Sequence, residues 1–233
     1  MTNKPRLLKV LDFISIIFFF LALLMVFFYA PLEKVMGAVQ KVFYFHVSAG
    51  WVGMISFMVA AIAGIIYLVK KDSKWDLVGY SAVEIGIAFT MINVITGAIW
   101  ARPIWNAWWT WDPRLTTATI MELVYFAYLM LRQGIDDPER RNRFSAVYAI
   151  VGFISVPLTF FSIRIFDRTI HPVVIGSNDP SAVGAFDMTP LMLQTLLFSI
   201  LAFTILFADL MWHRIRLGQY MNTIDELKLR IQD

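Results

Sequence analysis

Apolar residues along this chain come in long blocks, not in the stripes of an amphipathic helix on a soluble protein. Six blocks lie near residues 13–30, 42–69, 77–100, 115–131, 144–165 and 190–212, with polar residues gathered between them. A helix needs about 20 residues to cross the hydrocarbon of a bilayer, and in hydrocarbon each backbone N–H and C=O must be paired within the spanning structure. The pattern therefore predicts an all-α integral membrane protein, one domain over residues 1–233 with six transmembrane helices. Lys4, Arg6 and Lys9 precede the first block, as in a secretion signal. That block is too long for a signal h-region and exits through Phe27-Phe28-Tyr29-Ala30-Pro31-Leu32 without a small-x-small cleavage site, so a retained span is expected.

Composition agrees and adds a direction. The chain is 59% apolar and 16% charged, against about 45–50% and about 25% in soluble domains. Of its 20 Lys and Arg, 14 fall in the N-terminus, residues 70–76, residues 132–143 and the tail beyond the sixth block; the other three loops hold six. The positive-inside rule then puts both termini in the cytoplasm. No run alternates basic and aromatic residues, so no nucleic-acid partner is expected. There is no Gly-x-x-x-x-Gly-Lys-Ser/Thr stretch for ATP hydrolysis, and no enzymatic activity is expected. With no cysteine, the chain makes no disulfide, thiolate metal site or iron–sulfur cluster and has no Cys-x-x-Cys-His heme attachment sequence.

The chemistry gathers in the outer loop between spans three and four. Five of the eight tryptophans, Trp100, Trp105, Trp108, Trp109 and Trp111, fall within twelve residues. Membrane belts place indoles singly at the headgroup level; this much flat aromatic surface suits a large, flat, apolar ligand. Trp105, Trp108, Trp109 and Asp112 stand at i, i+3, i+4 and i+7, which predicts one face of a helix lying in the interface. Asp112-Pro113 reads as the N-cap and first position of span four, a role that competes with ligand contact for Asp112. The histidines sort by side. His46 lies about one turn into span two near its outer end, and His171 precedes Pro172 in the outer loop 166–189. His213 ends span six on the inner side, where it would complement the helix dipole, about 30 Å away.

A lone histidine in a loop or at a helix end is more often structural than a ligand. What raises His46 and His171 is the side they share with the tryptophans. Heme iron commonly takes imidazole, so the expected site is a heme with His46 and His171 as axial ligands and the five indoles as its platform. Asp112, Arg114, Arg102 and Arg168 are the charged residues for its edge, since arginine pairs bidentately with a carboxylate such as a propionate. Arg114 has an equal competing role as an interfacial charge. Gly50 and Gly53, near the His46 face, would leave room for a macrocycle or let helices pack closely. Glu84, Asn93, Glu122, Gln194 and Asp209 are scattered through the spans without forming a relay pair. Pro157 predicts a kink in span five.

These residues also carry a resemblance. Trp108-Trp109-Thr110-Trp111-Asp112-Pro113-Arg114-Leu115-Thr116 resembles the WWD motif of heme-handling proteins in cytochrome c biogenesis. The run from Thr96-Gly97 through Trp100, Pro103 and Trp105 to Thr116, together with Tyr44-Phe45-His46-Val47, is similar to the cytochrome c maturation protein C (heme exporter protein C) family. The resemblance covers nearly the whole chain; it departs at Asn106 and Pro113, where small residues are more usual, and around His171. It implies non-covalent, transient binding of heme b at the outer face of a bacterial inner membrane and loading of a membrane-anchored heme chaperone. It also implies ABC transporter subunits and a small accessory membrane protein as partners within the lipid bilayer. Two other classes stay open on the residues alone. One is a cytochrome c synthetase component of the other biogenesis route, whose similar Trp motif sits on more spans. The other is a secondary transporter or proton channel, which would call for inverted repeats and broken mid-membrane helices not visible here.

Overall fold

The computed structural model describes residues 4–166, 169–172 and 188–232, and its regular elements are all helices. They are α1 (Arg6–Leu24), extended by a π-helical turn over Met25–Tyr29, α2 (Gln40–Lys70), α3 (Ser73–Trp105), α4 (Pro113–Gln133), α5 (Pro138–Gly152), α6 (Ser155–Ile165) and α7 (Pro190–Gln232). Five stretches are long and apolar enough to cross a membrane: α1 with its π turn, α2, α3, α5 with α6, and α7.

Local chemistry sets the ends of these helices. Lys71 adopts a left-handed conformation (φ 55°) and its N–H bonds the Tyr67 carbonyl at 2.7 Å, closing α2. Asp72 then opens α3, its Oδ1 accepting from the Lys74 N–H at 3.0 Å. Asp137 does the same for α5, with Pro138 at the first position. Pro157 has no N–H and its ring excludes the Phe153 carbonyl, so the helix stops at Gly152 and restarts at Ser155, the expected kink. The last helix departs from expectation. The span expected to end at residue 212 runs on: α7 is unbroken from Pro190 to Gln232, with no proline inside it, and Gly218 packs against Leu77 of α3.

The hairpin of α2 and α3 is the centre of the molecule. α2 also packs against α5 and α7, α1 against α7, and α4 against α5 and α6. Small residues allow the closest approach: a Cβ on Gly64 would lie 2.9 Å from the Ala146 carbonyl oxygen of α5. Phe57 and Tyr125 stack at 3.5 Å in the buried core beside Ala60, Val83 and Phe203. The half-buried charges Arg132, Asp76, Arg214 and Glu84 near the other end are paired. Arg132 makes two bonds to Asp76, at 2.6 and 2.8 Å, with its guanidinium 4.5 Å from the Tyr80 ring, and Arg214 meets Glu84 at 2.5 Å. At the opposite end of this frame the start of α2, the end of α3, the start of α4 and residues 169–172 converge.

Candidate functional site

The Trp-rich segment is a bend, not the interfacial helix that its spacing predicts. α3 carries Trp100 and Trp105 to its last turn, and Asn106 then turns left-handed (φ 53°). Asn tolerates that conformation better than most residues, and its side chain accepts a bond from Arg102. Residues 106–112 are irregular until Pro113 opens α4. The bend folds the indoles over the helix ends. Trp100, Trp105, Trp108 and Trp109 line a cavity, partly open to solvent, with His46, His171, Asn93, Gly97, Arg114, Leu115 and Ala118. Trp100 is 4% exposed, and its buried Nε1–H has no partner among the described residues. An orphaned buried donor is costly, so a ligand acceptor in the cavity would be favoured. Trp111 stands apart: it is 74% exposed, packs edge-on against Trp109 at 5.9 Å and does not line the cavity.

The two histidines are presented alike. His46 Nδ1–H donates to the Asn93 carbonyl at 2.9 Å, while the Asn93 amide donates to the His46 carbonyl at 2.7 Å. His171 Nδ1–H donates to the Pro172 carbonyl at 2.9 Å. A carbonyl only accepts, so each bond fixes the proton on Nδ1 and leaves the lone pair on Nε2, which is how protein ligands are oriented around metals. Burial, with the charges of Arg114 and His46 adding to it, pushes the His171 imidazole down to about 3, so it is neutral at physiological pH. Trp105 meets the His171 ring edge-on at 6.1 Å. Gly97 faces His46, where a Cβ would come within 2.8 Å of the imidazole Cε1. Gly50 and Gly53 instead meet Asn93 and Thr90 of α3, so they serve helix packing, and the room at His46 comes from Gly97.

The charged residues divide. Asp112 is 7% exposed and caps α4, Oδ1 accepting from the Arg114 N–H at 2.9 Å. Its Oδ2 accepts from Thr169 Oγ1–H and from the Ile170 N–H, both at 2.8 Å. Arg114 lines the cavity, and its Nη1 donates to the Thr159 and Phe160 carbonyls of α6, each at 2.7 Å. Arg102 lies over the exposed Trp108 ring, 6.0 Å from its centroid, outside the cavity lining. Arg168 falls outside the described residues. His213 does not cap a helix, since α7 runs on past it; it pairs with Asp12 at 2.8 Å and with Asp209 at 3.6 Å, tying α7 to α1. Other polar residues in the spans bond between helices: Gln194 accepts from Tyr29 and Glu122 from Thr90. Sequence reading missed the roles of Asn93, Gly97 and Thr169, which depend on contacts 47 or more residues apart.

A family model described as heme exporter protein C matches residues 1–230. The chain is 32% identical over 196 residues to heme exporter protein C of Bradyrhizobium diazoefficiens, covering 82% of this chain and 74% of that protein. It is 31% identical over 190 residues to heme exporter protein C of Rhodobacter capsulatus, covering 82% and 77%. With heme exporter protein C of Escherichia coli K12 it shares 29% over 188 residues, covering 81% and 74%.

Proposed function

The chain belongs to the heme exporter protein C family, and we propose that it holds heme in the cavity between His46 and His171 and passes it to a membrane-anchored chaperone. Its role is heme handling in cytochrome c maturation, that of a transport component and not of an enzyme. The observation that carries the finer reading is the matched pair of imidazoles. Each has its Nδ1–H taken by a backbone carbonyl and its Nε2 lone pair free, and both border one Trp-lined cavity.

In this reading α4, 21 residues long and so about 31 Å at 1.5 Å per residue, is the sixth span. Both termini are cytoplasmic by the bias of basic residues, and the Trp bend faces the periplasm. The porphyrin is the cargo. Trp100, Trp105, Trp108 and Trp109 give it apolar contact, His46 and His171 take the two axial positions on the iron, and Arg114 stands where a propionate would emerge. Binding in this reading is non-covalent, and the lack of cysteine excludes thioether attachment. A carrier has to release what it binds, and ligation by two imidazoles with contacts spread over several indoles allows stepwise exchange to a partner. ABC transporter subunits and a small accessory membrane protein complete the proposed assembly in the inner membrane.

The test is the spectrum of purified variants. His46→Ala and His171→Ala should each convert a low-spin heme into a high-spin or weakly bound one, whereas His213→Ala, across the membrane, should keep the parental spectrum. A folded protein that binds low-spin heme without either cavity histidine would refute the assignment.

A further inference from the structure

Asp112 is a motif residue whose geometry does not suit the role of ligand contact. Its carboxylate is buried and both of its oxygens are engaged. Oδ1 receives the Arg114 N–H and so caps α4. Oδ2 receives the Thr169 hydroxyl and the Ile170 N–H, from a segment 57 and 58 residues further along the chain. Thr169 Oγ1, having donated to Asp112, accepts the His171 N–H at 3.1 Å. Thr169 is itself fully buried, so no water competes for this hydroxyl. Two bonds thus run from the carboxylate through the hydroxyl to the backbone of His171, and a third holds the neighbouring Ile170 N–H.

We infer that Asp112 is a positioning residue: it latches the His171 segment to the first turn of α4 and so presents the His171 imidazole to the cavity. This rests on His171 being an iron ligand. The physical need is clear. Residues 169–172 are irregular and have no helix of their own to hold them, and a ligand on a loop is only as well aimed as its supports. A buried carboxylate that accepts several hydrogen bonds is a strong support because bonds to a charged acceptor are the strong ones. The latch also places the two halves of the site in one unit, since the same residue ends the Trp bend.

Asp112→Asn separates the latch from the cap. Asn caps helices as well as Asp does, so Oδ1 can still receive the Arg114 N–H. The amide nitrogen that replaces Oδ2 cannot accept from the Ile170 N–H. If Asp112 only caps α4, Asn is silent. If it holds His171, backbone amides of residues 169–171 in heme-free protein should exchange roughly 10- to 100-fold faster, the range for one lost bond to a charged acceptor. The heme-loaded variant should also lose low-spin character as His171→Ala does. Thr169→Val, which removes the hydroxyl but keeps the shape, should reproduce both effects, and Thr169→Ser should stay near the parent.

Unchanged exchange in Asp112→Asn overturns the latch. Faster exchange with an unaltered heme spectrum overturns the positioning role. In that case His171→Ala assigns the fault: a parental spectrum there shows that His171 is not a ligand and the proposed function fails, and a changed one confines the failure to Asp112.

Discussion

Replacing Gly97 with alanine adds a single methyl group beside His46. The new Cβ would stand 2.8 Å from the imidazole Cε1 and 3.1 Å from Nδ1. Carbon atoms in contact prefer about 3.5–4.0 Å, so the ring has to retreat by roughly 0.7–1.2 Å. The Nδ1–H bond to the Asn93 carbonyl, now 2.9 Å, would then pass the limit of about 3.2 Å for a good N–H to oxygen bond. Overpacking of this kind costs about 1–3 kcal/mol. Alanine recovers up to about 1 kcal/mol by its better helix propensity, but that gain belongs to the helix and not to the orientation of His46. The empty protein should therefore melt within a few degrees of the parent while heme affinity falls roughly 5- to 150-fold, the equivalent of about 1–3 kcal/mol. Heme titration followed in the Soret band, alongside thermal melting of the empty protein, reads both. Gly134→Ala is the control, because a Cβ there meets only the Met130 and Leu131 carbonyls at 3.6 and 3.8 Å, far from the cavity. Parental affinity and a low-spin spectrum in a folded Gly97→Ala protein would refute the claim that His46 binds through the geometry seen here.

Trp111→Ala is expected to keep heme binding, since that ring lies outside the cavity, whereas Trp105→Ala combined with Trp109→Ala should lower heme content and transfer to the chaperone. Equal losses in the two variants would mean that the cluster acts as an anchor and not as a lining. Because burial holds His171 down at about 3, its ligation should be indifferent to acid from about pH 8 to about pH 5, as a proton cannot compete for Nε2 until the solution nears that low value. The same shift favours folding above the ordinary imidazole value of about 6.5, and this contribution is lost as pH falls toward 3. A spectral midpoint near pH 6.5 would contradict it.

The sequence makes some of this legible and hides the rest for physical reasons. Hydropathy locates the helices because the bilayer demands whole apolar segments. Asp112-Pro113 announces the start of α4, and Pro157 announces the break between α5 and α6, because caps and prolines act locally. The Trp segment misleads: its i, i+3, i+4 spacing is helical, but Asn106 turns the chain before the helix can continue. His213 misleads in the opposite way, since a basic residue after an apolar block looks like a helix end and α7 simply goes on. The supports of the two histidines could not be read at all. Asn93 reaches His46 across 47 residues and Asp112 reaches Thr169 across 57, and such pairings depend on how the helices are set against one another.

Arg114 shows why local and functional roles need not exclude each other. Its Nη1 holds the Thr159 and Phe160 carbonyls, in the helix that Pro157 interrupts, and so fixes α4 to α6. A guanidinium has five N–H groups in a planar fork, so one amino group anchored to protein leaves others for a carboxylate in the cavity that Arg114 lines. Lysine keeps the charge but cannot serve both carbonyls and pair in a fork. Arg114→Lys should thus lower the melting temperature through the lost α4–α6 contact, and this alone would not implicate heme. Heme dimethyl ester, with its propionates blocked, separates the two roles. The parent should bind heme roughly 10- to 100-fold more tightly than the ester, as expected for hydrogen bonds to a charged partner, and that preference should shrink in Arg114→Lys even after correction for the folded fraction. If the parent binds heme and its ester equally, Arg114 serves α6 alone, and the propionates are held elsewhere or left in water.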